Sequence, residues 1–345
     1  MIALDSRLQG HSLYLRKSMI KFPGSDSIDV EICGGAYKPL PLYLNQQIIK
    51  ILEDMGVEDE FFLYHQEKEV ERLRMVTSSS INASIFLRTQ AVGELIHLPW
   101  FINKLNSLGL SFQADSFLRD ILEITVLIEL RALKHKARIP VPKGYTLYGI
   151  MDETGILEEG EIFCIVEING KPKVITGKDL IITRSPALHK GDIQVVTATT
   201  VPDDSPLMKL RNCICFSQKG SRDLPSKLSG GDLDGDLYQI IFDPRARPKR
   251  VFSPANYISQ APIELDRPVK RQDMTDFFVT FMATDQLGRI ANLHKVLADQ
   301  KEDGVVNPDC LILAEMHSTA VDFSKSGIPV RVQLLRQSQQ SLSNL

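Results

Sequence analysis

The chain has 345 residues, of which 43% are hydrophobic and 24% charged, and a formal net charge of −3. That length supports two or three domains with a sizeable core, and the composition is that of a soluble globular protein, not a disordered or collagenous one. The charge gives no global basic signature, so any contact with nucleic acid has to use a local positive surface.

No run of 18 apolar residues is present, which argues against a membrane span. The N-terminus lacks the charged-then-apolar order of a signal peptide. Five cysteines, scattered and odd in number, argue against a disulfide framework. A reducing, intracellular compartment is expected, nuclear or cytoplasmic with the nucleus favoured.

Residues 1–40 read as extended. Ser12–Arg16 and Ile28–Ile32 alternate apolar and polar side chains, and Gly34-Gly35 ends the run. Pro39 and Pro41 precede a helix over Leu44–Met55, and helical patterns follow over 60–76, 80–107 and 115–135. The last has Asp115 or Ser116 as its N-cap and a broad apolar face from Leu118 to Leu130.

Beyond Pro140 and Pro142 the character changes. Six short β runs follow: Leu147–Met151, Glu161–Glu167, Leu180–Thr183, Ile193–Thr199, Cys213–Ser217 and Leu237–Phe242. Their spacing predicts a small barrel or sandwich. Cys213 and Cys215 share one strand face with no second pair at zinc-site spacing, and read as buried thiols. From residue 250 the pattern is helical again. Met274–Ala298 carries Phe277, Phe278 and Phe281 as expected core positions, and on Cys310–Asp322 His317 and Asp322 read as buried polar groups. The Ser/Gln-rich tail Gln333–Leu345 reads as frayed.

The densest chemistry lies in Ser229-Gly-Gly-Asp-Leu-Asp-Gly-Asp-Leu-Tyr238. Asp232, Asp234 and Asp236 alternate, so an extended segment sets them on one face and a bend at Gly235 draws them together. Three bare carboxylates within about 5 Å repel by roughly 3 kcal/mol per pair at an effective dielectric near 20. A hard divalent cation removes that cost. Mg²⁺, with Mn²⁺ as the other candidate, binds through a few carboxylates plus substrate phosphates.

Two blander readings compete. A plain hairpin turn at Asp234-Gly235 accounts poorly for three aspartates in five residues. An EF-hand calcium loop would put its required glycine at Leu237 and its glutamate at Asp243, between strand-like flanks. A magnesium loop for phosphoryl transfer fits best.

Asp232-Leu-Asp-Gly-Asp236 resembles the signature of the cellular RNA-dependent RNA polymerases of eukaryotic RNA silencing. It also echoes the three-aspartate loop in the large subunit of multisubunit DNA-dependent RNA polymerases. Arg184-Ser-Pro-Ala-Leu-His-Lys-Gly-Asp-Ile193 is similar to the silencing family's Arg-x-Pro-x-x-His-x-Gly-Asp-Ile segment. Leu15–Lys21, Asp152–Glu158, Phe216–Gly220 and Leu313–Phe323 match further blocks in the expected order. The resemblance covers nearly the whole chain.

It implies an α+β protein: residues 1–40 as the C-terminal part of a first β-barrel, 41–142 as a helical connector, 143–250 as a double-psi β-barrel catalytic domain, and 251–345 as a helical neck and the start of a head. It further implies a nucleotidyltransferase that makes RNA from ribonucleoside triphosphates on an RNA template. Its product would be double-stranded RNA for siRNA production in RNA-mediated gene silencing, with other silencing proteins as partners and no membrane. Family members are longer, so a fragment of a longer enzyme is expected. The alternative is a catalytically incomplete RNA-binding or scaffolding remnant.

By the same resemblance Asp232, Asp234 and Asp236 are the catalytic metal ligands. Gly230, Gly231 and Gly235 are expected to allow close backbone approach, and Gly191-Asp192 to shape a turn. Arg16, Lys21, Arg184, His189 and Lys219 are the candidates for triphosphate or RNA contact, with Lys190 and Arg222 nearby in sequence. Structural readings stand beside these: Arg184 pairing with Asp192, His189 holding a turn, Lys219 in a solvated loop. The basic run Arg245–Arg250 reads as a solvated linker.

Overall fold

The structure is a computed structural model that describes residues 1–20, 29–257, 261 and 263–330. Its centre is a sheet of eight strands, most of them buried. They are β1 (Leu40–Tyr43), β2 (Pro140–Met151), β3 (Glu161–Ile168), β4 (Lys171–Val174), β5 (Gly177–Arg184), β6 (Ile193–Ala198), β7 (Cys213–Phe216) and β8 (Leu237–Ile241). Neighbours run β1-β2-β7-β3-β6-β5-β8, and β8 pairs again with β2. Six strands therefore close into a barrel, with β1 and β4 paired outside the ring. Closure leaves the ring no free edge. Within it β2–β7 and β3–β6 are parallel and the remaining pairs antiparallel.

Period-two alternation decides which side chain goes where. Ile162, Cys164, Val166, Ile214, Phe216, Tyr238 and Ile240 share one cluster, while Phe163, Ile165, Cys213 and Cys215 pack in another. Both faces of β3 and β7 are thus covered. The thiols Cys164, Cys213 and Cys215 are buried and free, as expected.

The two strands outside the ring were not expected. β4 forms a hairpin with β3 across Asn169-Gly170, both at positive φ (51° and 74°), a turn pair whose signal lies in the sequence. β1 carries Pro41, tolerable because the strand pairs on one side only, with β2.

Helices α1 (Gln46–Asp54), α2 (Asp59–Arg74), α3 (Ser80–Thr89), α4 (Leu98–Ser107) and α5 (Ser116–Lys136) separate β1 from β2. Asn45 caps α1 by accepting from the Ile48 N–H at 2.9 Å, and Asp115 caps α5 by accepting from Leu118 at 3.0 Å. The single helix expected over 80–107 is broken. Ala91, Gly93 and His97 take positive φ between α3 and α4, and Pro99 sits in the first turn of α4.

Downstream come α6 (Leu224–Lys227), α7 (Arg271–Thr284), α8 (Leu287–Gln300), α9 (Pro308–Val321) and α10 (Phe323–Ser326). The helix expected over Met274–Ala298 also divides, at Asp285, which turns extended and accepts from the Leu287 N–H at 3.0 Å. Its aromatic core does not form. α7 has no buried residue, and Phe277 and Phe278 are 42% and 62% exposed. Phe277 instead stacks on Phe323 at 5.6 Å, and Phe281 lies tilted against it at 5.7 Å. Periodicity marks an apolar face but not what covers it. His317 is buried as expected, whereas Asp322 is only half-buried.

Among the described residues no strand forms before Leu40; the element there is a 3-10 turn over Lys17–Met19. Alternation alone gives Ser12–Arg16 two faces, but a ladder needs a partner strand. The basic run is not a free linker either. Arg245, Arg247 and Lys249 pair with Asp243, Asp179 and Glu58, and the Lys249 and Arg250 N–H groups donate to Met55 O at 2.9 and 3.0 Å. The run pins the barrel to the end of α1. The tail Gln333–Leu345 lies outside the described residues, and no described helix is long and apolar enough to cross a membrane.

Candidate active site

The acidic loop joins α6 to β8. Pro225 starts the turn: its carbonyl accepts the Leu228 and Gly231 N–H groups at 3.0 and 3.1 Å. A side chain at Gly231 would bring a Cβ to 2.3 Å from the Tyr238 hydroxyl and 3.0 Å from Pro225 O, so only glycine fits. Gly235 has open space around it but φ of +134°, a conformation that side chains oppose. Leu233, φ 61°, tucks inward between the exposed Asp232 and Asp234.

This folding brings the aspartates together. One oxygen from each of Asp232, Asp234 and Asp236 lies within 4.8 Å of the others. Asp236 Oδ2 accepts from the Asp232 N–H at 3.0 Å and the Tyr238 hydroxyl at 3.4 Å, while Asp232 Oδ1 accepts from the Asp234 N–H at 3.4 Å. Burial, then the negative charge of Asp232, pushes Asp234 above the ordinary carboxylate range. A cation at the centre would reverse that shift. An all-oxygen donor set of this kind suits Mg²⁺ or Mn²⁺ better than zinc.

Among the described residues, two positive groups touch the triad. Arg184 Nη2 lies 2.6 Å from Asp236 Oδ1, with the side chains 20% and 8% exposed. Its expected structural partner, Asp192, is thus displaced by Asp236. Lys325 Nζ, on α10, lies 3.6 Å from Asp232 Oδ2. Nothing in local spacing points to Lys325, because the chain returns to the loop through three intervening helices.

The other candidates lie elsewhere. Lys219 pairs with Glu158 at 2.5 Å and Arg16 with Glu153 at 3.3 Å, both at the surface of the β2–β3 connection. His189 Nδ1 accepts from the Gly191 N–H at 3.0 Å, and burial pushes its pKa down to about 4. It is therefore a neutral turn residue at physiological pH. Lys190 sits over the Phe252 ring. Arg222 is spent on the Ser226 and Ala255 carbonyls. Lys21 lies outside the described residues.

Asp192 is buried and accepts from Leu188 N–H at 2.9 Å, His189 N–H at 2.8 Å and the Tyr257 hydroxyl at 2.5 Å. Burial still pushes it up to about 6. The sequence reading missed Tyr257, which has no motif spacing to any of these residues. A cavity of about 480 Å³ adjoins the loop, lined by Leu233, Met151 and the first residues of the chain.

A family model described as RNA dependent RNA polymerase matches residues 1–344. The chain is 35% identical over 324 residues to the probable RNA-dependent RNA polymerase 1 of Oryza sativa subsp. japonica, covering 93% of this chain and 42% of that protein. It is 33% identical over 352 residues to RNA-dependent RNA polymerase 1 of Schizosaccharomyces pombe, covering 94% of this chain and 28% of that protein. It therefore spans well under half the length of these curated relatives. Among solved structures, the RNA dependent RNA polymerase QDE-1 from Thielavia terrestris superposes with a TM-score of 0.68 at 19% identity, over 88% of this chain and 38% of that one. That likeness supports the fold, an α+β chain around a double-psi β-barrel.

Proposed function

The chain belongs to the RNA-dependent RNA polymerase family, and we propose that it carries the catalytic aspartates of an RNA-directed RNA polymerase. The substrates are ribonucleoside triphosphates and an RNA template, and the product is double-stranded RNA for siRNA-mediated silencing. The observation that carries the reading is the convergence of Asp232, Asp234 and Asp236 within 4.8 Å on one glycine-shaped loop.

Asp232, Asp234 and Asp236 would hold the divalent ion. Magnesium bound there supplies activation of the attacking hydroxyl and neutralisation of triphosphate charge. The reaction joins an RNA 3′-hydroxyl, or an initiating nucleotide, to the α-phosphorus and expels pyrophosphate. Three carboxylates on one loop have few independent motions, so their spacing is preset rather than assembled at each turnover. Arg184 shields Asp236 from its neighbours. Lys325, 67% exposed in its side chain, has room to turn from Asp232 toward an incoming phosphate. Lys219 and Arg16, farther out, suit contact with RNA backbone. We also propose the division inferred from sequence, with residues 143–250 as the catalytic domain between helical regions.

The test is incorporation of labelled nucleotides on single-stranded RNA by the intact protein, with and without Mg²⁺. Asp236→Ala should abolish nucleotide addition and leave RNA binding nearly unchanged. Unchanged polymerisation in that variant would refute the assignment.

A further inference from the structure

We propose that Tyr257 is a positioning residue for the acidic loop: its hydroxyl, acting through the buried carboxylate of Asp192, sets the place of Ser229 and hence of the three aspartates. This rests on the polymerase reading above and assigns a residue that does not touch the reacting atoms.

After β8 and the basic run, residues 252–257 pass back over the end of the barrel as a strap. Phe252 O accepts from Gln194 Nε2 at 3.1 Å. The strap then crosses Gly191 so closely that a Cβ there would lie 2.1 Å from Ser253 O and 2.7 Å from Pro254 Cα. Ala255 O accepts from Arg222 Nη1 at 2.7 Å, and the same guanidinium donates through Nη2 to Ser226 O at 2.6 Å, on α6. At its end the strap delivers the Tyr257 hydroxyl to Asp192 Oδ1 at 2.5 Å.

Asp192 is the junction. Its other oxygen fastens the Leu188 and His189 N–H groups, and the Ser229 backbone N–H helps to stabilise its charge. Ser229 itself is held from three sides. Its carbonyl accepts from Arg184 Nη1 at 2.9 Å, its hydroxyl donates to Pro186 O, and its N–H faces Asp192. Such fastening is needed because Ser229 has φ of 51°, a left-handed conformation that a non-glycine residue keeps only when its surroundings over-determine it. The Tyr257 ring lies over the next residue: a Cβ on Gly230 would be 3.6 Å from it. Asp232 follows two residues later. A buried carboxylate oxygen that loses its donor has to find another. The Ser229 N–H, already turned to this carboxylate, is a donor on the acidic loop that it would draw in.

Tyr257→Phe in the intact protein keeps the ring over Gly230 and removes only the hydroxyl. Mn²⁺ is the probe, titrated by electron paramagnetic resonance, and nucleotide addition is measured in parallel. The Mn²⁺ dissociation constant should rise about tenfold, as for loss of an outer-sphere support of a metal site. kcat should fall by about the same factor, with KM for the nucleotide close to wild type and the melting temperature lowered modestly by the loss of one buried hydrogen bond. Asp192→Asn should behave alike, and the double variant should be no worse than either single one. A folded Tyr257→Phe or Asp192→Asn protein with wild-type Mn²⁺ affinity and kcat would overturn the proposal. So would loss of folding in both variants, since the pair would then be a stability element only. Wild-type protein that neither binds Mn²⁺ nor extends RNA would sink the polymerase reading itself, a distinguishable failure.

Discussion

Arg184 and Asp236 meet at 2.6 Å beside two further carboxylates, and both side chains are largely withdrawn from solvent. Removing one partner of such a pair costs more than the pair contributes, because the other charge stays behind unpaired. Arg184→Ala should therefore lower the unfolding free energy of the metal-free protein by about 2 kcal/mol or more. Saturating Mg²⁺ should shrink that loss, since the cation takes over the neutralisation. Urea melts with and without Mg²⁺ check this; an equal loss in both would show that Arg184 does not serve the triad's charge. Much of the site at this scale was legible. Three aspartates at alternate positions and the glycines between them declare their geometry through local rules. The partner of Arg184 was not legible: Asp192 and Asp236 are both available to it, and only barrel closure chooses. Lys325 and Tyr257 were invisible for the same reason, being brought in by long returns of the chain.

At the scale of elements, strands buried on both faces announce themselves as apolar runs, and β3, β5, β6, β7 and β8 fall where the pattern puts them. The breaks between α3 and α4 and between α7 and α8 were missed because apolar periodicity continues across both. α8 and α9 bring His294 and His317 together against the Leu188–His189 turn, and burial pushes each down to about 4, with the neighbouring histidines adding to it at His294. His294 Nε2 is buried without a hydrogen-bond partner, so the ring has to remain neutral. A base whose folded pKa is depressed contributes stability above its unfolded pKa, near 6.5, and loses it as pH falls toward 4. Asp192, raised to about 6, works the opposite way, because the cost of its buried charge is relieved as pH falls below that value. With His189, His294 and His317 all depressed, loss on acidification should dominate between pH 6.5 and 4. His317→Leu should make the fall shallower by about 1.4 kcal/mol per pH unit, the slope for one proton. Unfolding free energies at pH 7, 6 and 5 test it, and an unchanged slope would show that His317 does not titrate on unfolding.

For the whole molecule, the acidic loop is held by parts of the chain far apart in sequence. β5 supplies Arg184, the strap supplies Tyr257 and α10 supplies Lys325, while Asp54 binds the helices to one another by accepting from the Val305 N–H at 2.6 Å. The basic run docks barrel to helix through its backbone N–H groups, while the side chains of Arg245, Arg247, Lys249 and Arg250 stay exposed, as expected. Under the proposed function its exposed cations stand beside Lys219 and Arg16 as candidates for RNA backbone contact, in a chain whose net charge is −3. Family membership was readable because the motifs occur in order along the chain; how the parts converge on the loop was not, since that depends on closure of the barrel.

Anomalous scattering from crystals grown with Mn²⁺ and a nucleoside triphosphate tests the metal-centre claim most directly. A peak about 2–2.5 Å from carboxylate oxygens of Asp232, Asp234 and Asp236 is the predicted result. Mn²⁺ bound only elsewhere, with the three carboxylates bare beside an ordered triphosphate, would contradict it.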